Sequence, residues 1–173
     1  MAYLRHLLAP VVLALALFTS GCDGHEHALA DLDAGELDER FACDDLTVVA
    51  ADPSGERALM IGVDDGLAAS VLATGETLEA DYILPDERLT VRWVEGSNVY
   101  RGHCGRDNGA PWELDERNDA VDGTLHVRLA PALDGGLVLD AELSEVLLAE
   151  DEDLDEAELG LAQVVLEGVL VEP

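Results

Sequence analysis

The feature that most restricts this chain is a period of two. Thr77-Leu78-Glu79-Ala80-Asp81-Tyr82-Ile83-Leu84 alternates apolar and polar residues with hardly a break, and Leu89-Thr90-Val91-Arg92-Trp93 does the same. Leu125-His126-Val127-Arg128-Leu129 and Leu137-Val138-Leu139-Asp140-Ala141-Glu142-Leu143 continue the pattern. Successive side chains of a strand point to opposite faces, so Leu78, Ala80, Tyr82 and Leu84 share one face and acids the other, as in a half-buried strand. Turn residues punctuate the runs at Asp52-Pro53-Ser54-Gly55, Asp64-Asp65-Gly66, Thr74-Gly75, Pro85-Asp86 and Glu95-Gly96-Ser97-Asn98. Asn108-Gly109, Asp122-Gly123 and Asp134-Gly135-Gly136 extend the series. Strands repeating every 8–12 residues or so predict an all-β chain: an antiparallel sandwich or partly open barrel of about 7–9 short strands. No long apolar helical pattern separates them, which disfavours a parallel α/β fold.

Gly105 to Val121 holds two Gly, Pro111 and several charges, and is expected to be a long loop. Residues 150–158 carry seven acids in nine positions, which predicts solvated loop or frayed helix. Val164 to Val171 is expected to be a closing strand that ties down the C-terminus.

Charge removes whole classes of function. Nine Arg and no Lys stand against 38 Asp and Glu, for a formal net charge of -29. Such a surface repels phosphate, so nucleic acid is excluded as a partner. Nearly half the chain, 49%, is hydrophobic, which argues against wholesale disorder. A length of 173 residues suits one globular domain.

The first 21 residues differ in kind. Arg5 and His6 give a short basic start, Leu7 to Phe18 form a 12-residue apolar stretch, and Thr19, Ser20 and Gly21 lead to Cys22. That stretch falls short of the roughly 20 residues a membrane span needs and matches a signal-peptide core of about 7–15. Thr19-Ser20-Gly21-Cys22 resembles the lipobox of bacterial lipoproteins, with Thr19 where Leu is usual. The resemblance implies that Cys22 is diacylated and becomes the mature N-terminus, and multiple acyl chains anchor stably where one is marginal. Asp23 resembles an inner-membrane retention signal of enteric lipoproteins, a rule that fails in other lineages, so the choice of membrane stays open. Residues 22–40, rich in acid and poor in β-branched residues, are expected to be a lipid-anchored tether. A β-rich globular domain would then occupy 41–173.

With Cys22 carrying lipid, Cys43 and Cys104 remain, and two thiols in an oxidising compartment most simply form one disulfide. A zinc site fails on ligand count, since His103 beside Cys104 has no CxxC or HxxxH partner. The Cys-Trp-Cys order suggests an immunoglobulin domain, but Trp93 lies 50 residues after Cys43 and only 11 before Cys104. Trp93 is therefore expected to be a core anchor on its own strand.

No catalytic constellation emerges. Ser20, Ser54, Ser70, Ser97 and Ser144 all lie outside a GxSxG elbow, and the absence of Lys removes Ser–Lys dyads and Schiff-base chemistry. Neither GxGxxG nor GxxxxGK[ST] occurs, so no cofactor is expected. EF-hand loops starting at Asp31 or Asp151 both lack the Gly at position 6 and the Glu at position 12. His25-Glu26-His27 lacks a third fixed ligand, and no metal site is assigned. His103 is expected in a loop and His126 on an outward strand face.

Export signal, acidic tether and a β-rich domain with two cysteines together resemble the small lipoproteins of high-GC bacteria. The resemblance implies a membrane-anchored protein of the cell envelope, its domain outside the cytoplasm, periplasmic or surface-exposed. Two functions follow as expectations. One is a non-catalytic binding or structural module that presents a sheet face or the 105–121 loop to an envelope protein or polymer. The alternative is a divalent-cation binder that uses clustered carboxylates for calcium.

Overall fold

The computed structural model describes residues 30–31, 34–43, 46–104, 112–133, 135–150 and 159–171. Among the described residues nine strands lie in one sheet: β1 (Ala30–Asp31), β2 (Glu39–Ala42), β3 (Thr47–Ala51), β4 (Arg57–Val63), β5 (Leu78–Ile83), β6 (Leu89–Ser97), β7 (Glu113–Pro131), β8 (Leu137–Ala149) and β9 (Leu159–Val171). Two helices accompany them, α1 (Asp65–Thr74) and α2 (Val99–His103). The order across the sheet is β1-β9-β8-β7-β6-β4-β3-β2, and every pairing except β1 with β9 is antiparallel. The sheet curls into a half-barrel, so the all-β expectation holds in its partly open form. The closing strand is longer than 164–171, since β9 begins at Leu159.

Curling follows from twist and from bulges. Register shifts interrupt the ladders at Glu95/Gly96, between Ala120 and Thr124, and at Leu139/Ala141, and each extra residue bends its strand. Gly123, at φ 122°, sits in the middle bulge, where a Cβ would come 2.7 Å from the Val146 Cα. Only glycine fits so close an approach at that angle.

The N-terminal segment ties the two sheet edges together. β1 pairs with β9 at one edge, and β2 pairs with β3 at the other. At about 3.5 Å per residue, residues 32–38 hold these edges within about 28 Å of each other. Within that crossing Leu37 is 1% exposed and belongs to the main core. Ala30 to Arg40, which the sequence assigned to the tether, thus contributes β1, a 3-10 turn at Ala34–Glu36 and the start of β2.

Two apolar cores flank the sheet. The larger fills the concave side with Leu59, Ile61, Leu89, Trp93, Leu125, Leu139 and Leu143 among others. Trp93 is the core anchor expected, 1% exposed, and its indole N–H donates to Glu95 Oε1 at 2.8 Å. The smaller core lies on the convex side under α2 and comprises Cys43, Val49, Ala51, Ala58, Met60, Val94, Val99 and Cys104. That second core explains why β3 is buried on both faces.

Two local expectations change. Asp64 and Gly75, expected in turns, are the N-cap and C-cap of α1: the Asp64 carboxylate accepts from Gly66 N–H, and Gly75 is left-handed at φ 68°. The 105–121 loop gives way to strand at Glu113, because residues 113–119 pair with β6. Its alternation is hidden because both faces of this ribbon are exposed as far as Arg117, so apolar residues are not required on either side.

Candidate functional site

On the convex side of β6 and β7 the strand period brings charges together. Leu89, Val91 and Trp93 turn into the concave core, so Arg92 and Val94 face outward. Arg117 and Asp119, two residues apart on β7, share that face. The ladder sets Arg92 opposite Asp119 and Val94 opposite Arg117. Arg92 Nε donates to Asp119 Oδ1 at 2.6 Å, while Arg117 Nε and Nη2 donate to Oδ2 at 3.0 and 2.7 Å. One carboxylate therefore bridges two guanidinium groups and leaves a positive charge in excess, on a chain of net charge -29. The side chains of Arg92, Asp119 and Arg117 are 26%, 32% and 50% exposed, so solvent reaches the trio.

A hollow lies on each side of this saddle. β7 takes β6 as its partner up to Asp119 and β5 from Thr124 onward, which opens a fork in the sheet. The fork holds a cavity of about 310 Å³ lined by Leu84, Pro85, Leu89, Val91, Ala120 and Val121, with Asp86, Arg92, Arg117 and Asp119 on its polar side. Across the saddle a second hollow of about 200 Å³ is lined by Met60, Val94, Val99, Trp112 and Leu114, with Arg92, Arg117 and His103 beside it. Trp112 is 50% exposed and Leu114 44%. Trp112 packs on Gly102 of α2, where any Cβ would clash with the indole ring. The Trp112 hollow, mainly apolar with few convergent polar groups, has the usual form of a ligand site, and the fork cavity is about half polar.

The cysteines support this face. Cys43 and Cys104 sit at disulfide distance, their Cα atoms 4.8 Å apart. The pair joins the chain after β2 to the chain after α2, and so holds α2 and the Trp112 hollow against the sheet. Cys22, His25-Glu26-His27 and the acidic run from Asp151 to Glu158 lie outside the described residues. His103 ends α2 and is exposed, whereas the sequence placed it in a loop.

A second polar cluster crosses the outer face of β5, β7, β8 and β9. His126 Nδ1 pairs with Asp81 at 2.7 Å, and Nε2 lies 3.8 Å from Glu79. Arg128 pairs with Asp140 at 2.6 Å, and the Asp140 carboxylate also accepts from Gly168 N–H at 2.7 Å. The Asp81 hydrogen bond raises the His126 pKa above 6.5, helped by the charges of Glu79 and Glu142. The Gly168 hydrogen bond holds Asp140 below 3.8 against its partial burial, helped by Arg128. Acid and base satisfy each other here, so the cluster ties strands together. Among the described residues no group of three or more His, Cys, Asp or Glu converges as metal ligands. No helix among them is long and apolar enough to cross a membrane.

The outward position of His126 is legible in the sequence, and the Arg92–Asp119–Arg117 trio is not. Its signal was present in the alternation around Arg92 and in Arg117-x-Asp119, but half of it sat inside the stretch taken as loop. Compared with family models, curated proteins and solved structures, the chain matches none of them.

Proposed function

We propose that this protein is a lipid-anchored component of the bacterial cell envelope whose β domain is a non-catalytic binding module, acting through the convex face of β6 and β7. The observation that carries the reading is the solvent-reachable saddle of Arg92, Asp119 and Arg117 between two hollows, the one beside Trp112 mainly apolar. The export signal and Cys22 support the anchoring. The partner is an envelope protein or polymer presented to a domain outside the cytoplasm.

Two variants test the two halves of this reading. Cys22→Ala should leave the protein outside the membrane fraction or unprocessed, and normal processing with membrane retention would contradict the anchor. The mature protein in detergent, used as bait for envelope extracts, should retain a component that Trp112→Ala loses. Identical retention by both proteins removes the convex face from the function.

A further inference from the structure

Resting on that reading, we infer that the saddle takes the carboxylate of an Asp or Glu in an extended segment of a partner polypeptide, with apolar side chains of that segment in the two flanking hollows. Three observations identify this occupant. Asp119 takes one N–H of Arg92 and two of Arg117. A guanidinium carries about five such donors, so both side chains can bond a second acceptor. The excess of one cation over one anion matches a monoanion, and charge-assisted N–H···O bonds to carboxylate are among the stronger polar contacts. The Trp112 hollow is largely apolar, as a neighbouring side chain of a polypeptide needs, and offers a half-exposed indole face, while the fork cavity sets an apolar wall against a polar one.

The third observation is the fork itself. There the chain joining β5 to β6 enters: Leu89 N–H donates to Asp86 O and Leu84 N–H to Gly123 O, so Leu84, Pro85 and Asp86 wall the cavity. That wall makes the fork a bounded hollow at the end of the saddle, which a side chain of an extended segment can enter. A phosphate dianion fits less well, because the field of a chain at -29 opposes each added negative charge. A second copy of this chain is disfavoured by the same repulsion.

The test uses the mature protein in nanodiscs and the probe fluorescein-Gly-Leu-Val-Glu-Val-Phe-amide, read by anisotropy against empty nanodiscs. Saturable binding is expected, with the probe's Glu→Gln analogue at least about tenfold weaker, as loss of a charge-assisted bond implies. Arg92→Gln and Arg117→Gln should each shrink that Glu/Gln ratio while leaving Asp119 one guanidinium partner. Trp112→Ala should weaken both probes by the same factor and keep the ratio. Equal affinity for the two probes overturns the carboxylate inference. If capture from envelope extracts still depends on Trp112, the binding-module reading survives that result. Absence of saturable binding at about 1 mM probe, the range of the weakest specific complexes, also overturns it. Self-association that Arg117→Gln abolishes, without peptide binding, would give the face to a second copy and refute the inference.

Discussion

His126 shows how a single side chain on this surface couples folding to pH. Asp81 on β5 holds its ring at 2.7 Å, and Glu79 and Glu142 add negative potential, so the folded pKa lies above 6.5. A base whose pKa rises on folding stabilises the fold fully below its unfolded value and loses that contribution as pH rises through the folded value. β5 has β7 as its only ladder partner among the described residues, so this pair bears on how firmly β5 is held. His126→Gln should therefore lower the melting temperature more at acid pH, below the ring's unfolded value, than at alkaline pH above its folded value, where the ring is neutral in either state. An equal loss at both pH values would show that the ring acts only by packing. The side chain is 40% exposed, so solvent screening keeps the effect small.

At the scale of elements, the strands were legible and the devices that shape them were not. Alternation exposed β5, β6 and much of β7 and β8, because one face of each packs on the concave core. The turn residues Asp64 and Gly75 carried equally clear signals, but caps and turns draw on the same residue types, and a ten-residue helix with only Ala68 and Val71 buried leaves no apolar stripe to tell them apart. Leu37 was lost in an acidic segment because crossing a seam needs one buried side chain and no period. The trio of Arg92, Asp119 and Arg117 depends on a register between strands 27 residues apart, which local pattern does not contain. Cys43 and Cys104 were the exception: elimination paired them, and the structure brings them to bonding distance. Non-reducing peptide mapping should recover both in one linked fragment, and free alkylation of both in the folded, oxidised protein would deny the bond. The bond closes a loop of 61 residues, so removing it by the double substitution Cys43→Ser and Cys104→Ser should cost at most about 4 kcal/mol in denaturant unfolding. The loss should be accompanied by further exposure of Trp112, because α2 then loses its covalent tie and keeps only non-covalent ones such as the Val99 N–H bond to Gly55 O.

For the whole molecule, charge governs behaviour. The chain carries -29, and loss of residues 1–21 takes away Arg5 and no acid, leaving 8 Arg against 38 acids. Self-repulsion of this size works against a compact fold. Screening shortens from about 10 Å at 0.1 M to about 3 Å at 1 M salt, so sodium chloride should raise the melting temperature progressively across that range. Calcium should add only weak, non-saturating stabilisation. A stoichiometric calorimetric isotherm tighter than about 10 µM, the range of sensor-type sites, would instead favour the cation-binding function.

The proposed binding function is open to one direct measurement in cells. A photo-crosslinking amino acid can replace Leu114, 44% exposed beside the Trp112 hollow, or Leu133, fully exposed just beyond the far end of β7. Illumination should give a discrete adduct of defined mass from position 114, absent from position 133 and lost when Trp112→Ala is added. Equal adduct patterns from the two positions, or none from position 114, would contradict a binding role for the convex face.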